Sequence, residues 1–174
     1  MRVIGGQARG RALRAKLPPT VRPTTDFARE AIFSMLESRG GVNGAVVADL
    51  YCGSGALGIE ALSRGARRVY FVDADPACLA AARANAAPLQ LAGEAIFVRA
   101  VLPGWVPAEP LDLVLADPPY GPVDIEALLG AAPASRAVIE NDRYAEAPPG
   151  WAIARRKRYG TTLVTMLEQG ASPA

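Results

Sequence analysis

The sequence contains no histidine, only two cysteines and few aromatic residues, 6% in all. Without imidazole, and with Cys52 and Cys78 far apart, there is no cluster with metal-ligand spacing. Structural zinc and histidine-dependent catalysis are therefore disfavoured, and no metal site is expected. The two cysteines read as buried free thiols rather than a redox pair. No apolar run approaches the ~20 residues needed to cross a bilayer, and the scattered arginines of the N-terminus lack the apolar core of a signal peptide. The chain thus reads as soluble and cytoplasmic, with no membrane partner.

What is present is enough for one core. At 174 residues and 51% apolar content, a single domain spanning residues 1–174 is expected. The net charge is only +2, yet it is unevenly spread. Arg2, Arg9, Arg11, Arg14, Lys16 and Arg22 fall within residues 1–25 without one acid, and Arg155, Arg156, Lys157 and Arg158 form a second run. The remainder is net acidic. Such segregation suggests a polyanion-binding edge on an acidic body, with a merely solvated basic tail as the alternative.

Residues 1–16 alternate apolar and basic pieces around glycines, which predicts a small hairpin with exposed arginines. Pro18-Pro19 breaks regular structure, and Arg22-Pro23-Thr24-Thr25-Asp26 supplies an extended X-Pro pair and N-cap residues, so a helix should start near Thr25. Phe27, Ala31, Ile32, Met35 and Leu36 are its expected buried face, and Gly40-Gly41 its end.

The chain is organised around Asp49-Leu50-Tyr51-Cys52-Gly53-Ser54-Gly55-Ala56-Leu57-Gly58. The apolar run Ala45 to Ala48 enters it and an Ala/Leu/Glu helix pattern leaves it, which is the strand, turn and helix of a nucleotide-binding unit. Glycine at positions 53 and 55 allows a sharp turn and close approach of a ligand to the main chain. Gly53-x-Gly55-x-x-Gly58 with Asp73 about 20 residues on also fits a dinucleotide fingerprint. Asp49 argues otherwise, because a carboxylate at this strand end repels pyrophosphate and attracts a cation. S-adenosylmethionine (SAM), which carries a sulfonium and an ammonium and no phosphate, suits the position better than NAD.

Arg68 to Asp73, Ala95 to Val98, Leu111 to Ala116 and Ala137 to Glu140 read as further strands. Asp75-Pro76 opens a helix reaching about Ala87, and Ile125 to Leu129 makes a short one. Trp151 to Ala154 and Thr161 to Leu167 close the domain as an antiparallel pair, with Arg155 to Gly160 between them, and Gly170 to Ala174 read as a disordered tail. The fold class is therefore α/β, a doubly wound and mostly parallel sheet. On such a sheet Asp49, Asp73 and Asp117 converge on one crevice outside the strands' carboxyl ends.

Asp117-Pro118-Pro119-Tyr120 has a chemistry suited to an exocyclic amine. The nitrogen lone pair is delocalised into the base, so acceptors must hold the hydrogens and turn the lone pair toward the methyl donor. Asp117 and the Pro118 carbonyl can supply them from a proline-locked turn while Tyr120 stacks on the ring. The base would be turned out of its stack into the pocket. Guanine offers N1-H beside its N2 amine, two donors for one carboxylate, whereas adenine offers an acceptor N1 that a carboxylate repels.

The glycine loop together with Asp117 to Tyr120 is similar to amino methyltransferases generally. Arg2-Val3-Ile4-Gly5-Gly6-Gln7-x-Arg9-Gly10-Arg11 and Arg22-Pro23-Thr24-Thr25-Asp26-x-x-Arg29-Glu30 narrow the resemblance to the RsmD-type 16S ribosomal RNA guanine-N2 methyltransferases of bacteria. It covers nearly the whole chain. It implies a seven-stranded class I methyltransferase fold preceded by the small hairpin and helix, SAM as cofactor, and a guanine of small-subunit RNA, free or in an assembling subunit, as target of a monomeric enzyme. The glycine loop from Asp49 through Tyr51, Cys52, Gly53, Ser54 and Gly55, with Asp73 at the ribose, would hold the cofactor. Asp117, Pro118, Pro119 and Tyr120 would hold the guanine, and Arg2, Arg9, Arg11, Arg14, Arg22 and Thr24 the RNA. One departure is that Arg99-Ala100-Val101-Leu102 carries no acid or amide after the third strand, so adenine recognition falls to backbone and packing. The competing readings are a DNA adenine-N6 methyltransferase, for which 174 residues leave little room for a target-recognition domain, and a non-methylating Rossmann-type nucleic-acid-binding or NAD-binding protein.

Overall fold

A seven-stranded sheet in the order β3-β2-β1-β4-β5-β7-β6 forms the middle layer of the computed structural model, which describes residues 1–15 and 25–170. Expectations placed on Lys16, Pro18, Pro19, Arg22, Thr24 and residues 171–174 lie outside the described residues. Gly170, expected to begin the loose tail, instead donates its N–H to Gly150 O.

β1 (Val46–Leu50) is buried along its whole length, as a central parallel strand covered on both faces requires. It pairs in parallel with β2 (Arg68–Asp73) and β4 (Leu111–Ala116), and these pair in turn with β3 (Glu94–Arg99) and β5 (Ala134–Asn141). β7 (Thr162–Gln169) runs antiparallel to β5, and β6 (Trp151–Tyr159) antiparallel to β7 at the edge. One face is covered by α1 (Asp26–Glu37) and α2 (Ala56–Ser63), whose Ile32, Phe33, Leu57 and Ile59 pack with Val47, Phe71 and Val138. α3 (Pro76–Ala86) adds Ala82 to the same cluster. The other face is covered by α4 (Ile125–Ala131) and Trp105, packed on Leu50, Val72 and Ile139. The doubly wound, mostly parallel sheet is the one expected.

Three local expectations need correction. Helix α1 starts as anticipated, with Thr25 Oγ1 accepting the Ala28 N–H at 3.1 Å, but Phe27 is 66% exposed. The buried stripe is Ala28, Ile32, Met35 and Leu36 with Arg29 and Phe33 beside it, and Phe27 lies five residues, roughly 140°, around the helix from Ile32. In β6 the basic residues expected in a connection belong to the strand, and only Gly160 and Thr161 turn. An edge strand tolerates charges that a central strand does not. The N-terminal ribbon is shorter than expected, with one antiparallel bridge, Arg2 to Ala12, rather than a ladder.

That ribbon owes its position to α2. Ile4 and Gly5 donate their N–H groups to the Glu60 carboxylate at 2.8 and 2.7 Å, and Ala8 donates to Ser63 Oγ. Val3, Ala8 and Leu13 are buried beneath, which leaves Arg2, Arg9, Arg11 and Arg14 exposed as expected.

Candidate functional site

The sheet register assembles a row of acids. Leu50 pairs with Val72 on one side and Ala116 on the other, so Asp73 and Asp117 each lie one residue further, level with Tyr51. Ala116 pairs with Ile139, which brings Glu140 level with Asp117. Strand alternation gives these carboxylates, and Asp49 two residues before Tyr51, the face that carries α1 and α2.

Asp49 is 1% exposed, and its Oδ2 accepts the Gly58 N–H at 2.8 Å. Gly55, the residue before α2, provides no side-chain cap, so the buried carboxylate from β1 satisfies that helix end. Burial raises its pKa well above the usual carboxylate value; the Gly58 N–H opposes the shift, and the Asp117 and Asp73 charges add to it. The turn itself is strained where a ligand would lie. Tyr51, Gly53 and Gly55 have φ of 59, 52 and 76°, a region that a tyrosine rarely adopts. Gly53 donates to Asp73 Oδ2 at 3.0 Å and Asp75 to Asp73 Oδ1 at 2.9 Å, so Asp73 braces both the turn and the start of α3. Each of its oxygens keeps a second lone pair for a hydroxyl. Asp75 is the N-cap of α3, accepting from Ala77 N.

Cys52 and Cys78 are buried and unpaired with one another. Burial pushes the Cys78 thiol up to about 11 and Cys52 higher, which removes both from nucleophilic chemistry at neutral pH. Ser54 is buried, and its carbonyl accepts from Asn85 Nδ2 while Asn85 Oδ1 accepts from Ala15 N. The glycine turn and the N-terminal ribbon therefore share one amide. At the second motif, Asp117 is half-buried and donates its N–H to Leu50 O, Pro118 is buried, and Pro119 and Tyr120 are exposed at the lip. Asn141 Nδ2 donates to Gly121 O and ties this turn to β5.

Sequence reasoning missed Glu140 and Arg29. Burial, with the Asp117 charge behind it, raises the Glu140 carboxyl to about 8, and Arg29 opposes the shift. Arg29 is fully buried, although its Nη2 donates to Asp26 Oδ1 at 2.9 Å and to Arg2 O. Burial lowers its pKa against the pull of Asp26 and Glu60. A signal existed for both: an arginine beside the apolar stripe of a helix, and an acid closing an apolar strand just as Asp49 and Asp117 do.

The crevice is thus anionic. Among the described residues no group of His, Cys, Asp and Glu could hold a metal ion, and no helix is long and apolar enough to cross a membrane. A pyrophosphate would meet Asp73 and Asp117, with Asp49 buried beneath the same turn. A cationic nucleoside would offset the repulsion that Asp117 and Asp73 add to the burial that raises Asp49. No acid or amide follows β3, where Ala100 donates its N–H to Asp73 O.

A family model described as Conserved hypothetical protein 95 matches residues 1–168. The chain is 33% identical to "Putative rRNA methyltransferase YlbH" of Bacillus subtilis (strain 168), over 97% of this chain and 99% of that protein. It is 38% identical to "Ribosomal RNA small subunit methyltransferase D" of Escherichia coli (strain K12), over 69% of this chain and 60% of that one. The solved structure of "Putative methyltransferase yhhF" from Escherichia coli superposes with a TM-score of 0.79 at 30% identity, covering 99% of both chains.

Proposed function

The chain belongs to the Conserved hypothetical protein 95 family, the RsmD-type family its motifs resemble, and we propose that it methylates the exocyclic N2 amine of a guanine in small-subunit ribosomal RNA, with SAM as donor. The observation that carries this reading is the gathering of Asp49, Asp73 and Asp117 around one glycine turn, with Asp117 followed by two prolines and an exposed tyrosine. The relatives named as ribosomal RNA methyltransferases support the substrate class. Further proposals are 16S RNA in an assembling subunit as the true target, and action as a monomer.

SAM, when bound, supplies a methyl group already activated by its sulfonium. The residues of this chain do the rest. The turn from Tyr51 through Cys52, Gly53, Ser54 and Gly55 offers its main chain to the cofactor, Asp73 accepts from the ribose hydroxyls, and Asp49 balances positive charge from beneath. Asp117 Oδ and the Pro118 carbonyl accept the guanine N1–H and N2–H hydrogens, which turns the N2 lone pair toward the methyl group. Pro119 stiffens the turn and Tyr120 stacks on the base. Asp117 takes the departing amine proton, and Glu140, whose carboxyl burial raises with the Asp117 charge behind it, stands level with it on β5. Arg2, Arg9, Arg11 and Arg14, with Arg22 and Thr24, hold phosphates.

Calorimetric titration with SAM and with NADH tests the cofactor: SAM binds, and tight NADH binding without SAM binding would overturn the reading. Asp49→Asn keeps an oxygen for the Gly58 N–H and removes the charge. SAM affinity is expected to fall about tenfold, ~1.4 kcal/mol. Stability moves the other way. A carboxyl whose folded pKa is raised stabilises fully below its unfolded value and loses that contribution as pH rises through the folded one. The Asn variant escapes this loss, so at pH 8 its Tm is expected to equal or exceed that of the parent.

A further inference from the structure

Phe27 is 66% exposed and makes an edge contact with Tyr159, ring centroids 5.5 Å apart and planes at 80°. The two rings flank an open groove of about 330 Å³ between α1 and β6, which Arg155 and Lys157 also line. Strand alternation explains the sorting of the basic run. Arg155 and Lys157 share the α1 side with Tyr159, whereas Arg156 turns away to Ala145 O and Glu146 Oε1. Arg155 and Lys157 are exposed and make no ion pair among the described residues. Glu30 is the acid lining the groove, outnumbered by these two cations.

The register fixes which end of the sheet this is. Leu163 of β7 pairs with Arg158 of β6 on one side and with Asn141, the last residue of β5, on the other. The Lys157 to Tyr159 end of β6 is therefore at the carboxyl edge, three strand spacings, roughly 14 Å, from the end of β4 where Asp117 stands. The N-terminal ribbon lies on the same face, docked on α2, and Arg2 O accepts from Arg29 of α1. Basic surface thus borders the crevice from two sides.

We infer that the α1–β6 groove is a second RNA-binding surface, in which Arg155 and Lys157 take backbone phosphates and Phe27 with Tyr159 forms a platform for an unstacked base next to the target nucleotide. Cations interleaved with exposed rings are the chemistry of single-stranded nucleic-acid binding, in which stacking is sequence-tolerant and phosphate contacts make affinity salt-dependent. Phe27 is two-thirds exposed and its ring contact is with Tyr159, so the pair presents an aromatic surface at the mouth of the charged groove. The inference rests on the RNA-methyltransferase reading above.

The test uses fluorescence anisotropy with a labelled small-subunit RNA fragment across a salt series, for the parent, for Arg155→Gln with Lys157→Gln, and for Phe27→Ser. The double variant is expected to bind about tenfold more weakly at low salt and to reduce the slope of log K against log salt by about 2. Phe27→Ser is expected to weaken binding without changing the slope. SAM affinity and Tm should stay at parental values, since all three side chains are exposed. RNA affinity and slope unchanged in both variants, while the parent binds, would overturn this surface alone. Loss of affinity for assembled subunits but not for naked RNA would overturn it too, by pointing to a protein partner. A parent that binds no RNA at all, even with SAM present, would overturn the functional reading together with the surface.

Discussion

Asp117→Ala is expected to slow methyl transfer about a hundred- to thousandfold, the cost of removing one preorganised group at the reacting centre, and to leave SAM affinity largely unchanged. The separation follows from the sheet. Asp73 stands on one side of β1 and Asp117 on the other, each one residue beyond the partner of Leu50, so the cofactor's ribose acceptor and the base's acceptor are carried by different strands. Pro118 and Pro119 stiffen the backbone of the second motif, and the Asp117 N–H is tied to Leu50 O. Truncation deletes an acceptor at the reacting centre. Asp117→Asn keeps one oxygen but replaces the other with a donor facing the guanine N–H groups, and is expected to recover only part of the rate. Single-turnover kinetics with saturating SAM measures both variants, and parental rates in the alanine variant would remove Asp117 from the mechanism.

The second large effect is structural. A Cβ added at Gly58 would stand 2.4 Å from Phe71 Cε1 and 2.9 Å from Phe71 Cζ and Val69 Cγ1. Phe71 cannot retreat, since it is fully buried and stacked on Phe97 at a centroid distance of 4.9 Å. Gly58→Ala must instead push α2 off the sheet, and the Gly58 N–H that Asp49 accepts moves with it. Overpacking of this kind costs about 2–3 kcal/mol, or a fall in Tm of roughly 5–10 °C for a domain of this size. SAM affinity is expected to fall as well, because the glycine turn is continuous with the displaced helix. Gly130→Ala is the control. It lies in α4 with nothing within 4 Å of the added carbon, and there the gain in helix propensity should hold or raise the Tm. Thermal unfolding that does not distinguish the two variants would contradict the packing account.

The parallel strands were legible because their signals are local: continuous apolar runs at β1, β2 and β4, a threonine before α1, and Asp75-Pro76 before α3. The same holds for Asp49, Asp73 and Asp117, which close those strands and so must meet at one edge. What stayed hidden depends on partners distant in the chain. Asp49 reads as a ligand-facing acid, yet it is sealed under the turn as the cap of α2. Asp73 also holds the turn that the glycines make possible. Arg29 appears in the sequence only as part of the second N-terminal motif, and its burial depends on Asp26, Glu60 and the carbonyl of Arg2, all visible only in the fold. Phe27 reads as core because it is apolar, while the helical angle turns it to solvent. The continuation of β6 through four basic residues is visible only once its place at the sheet edge is known.

The central claim is that one anionic lip seats a positively charged methyl donor against the amine of a guanine. It is tested most directly by incubating the protein with isotopically labelled SAM and small ribosomal subunits purified from cells lacking the modification, then digesting the RNA to nucleosides for mass spectrometry. The predicted result is label in N2-methylguanosine, lost in Asp117→Ala. Label on adenine, or none in RNA that the protein binds, would contradict it.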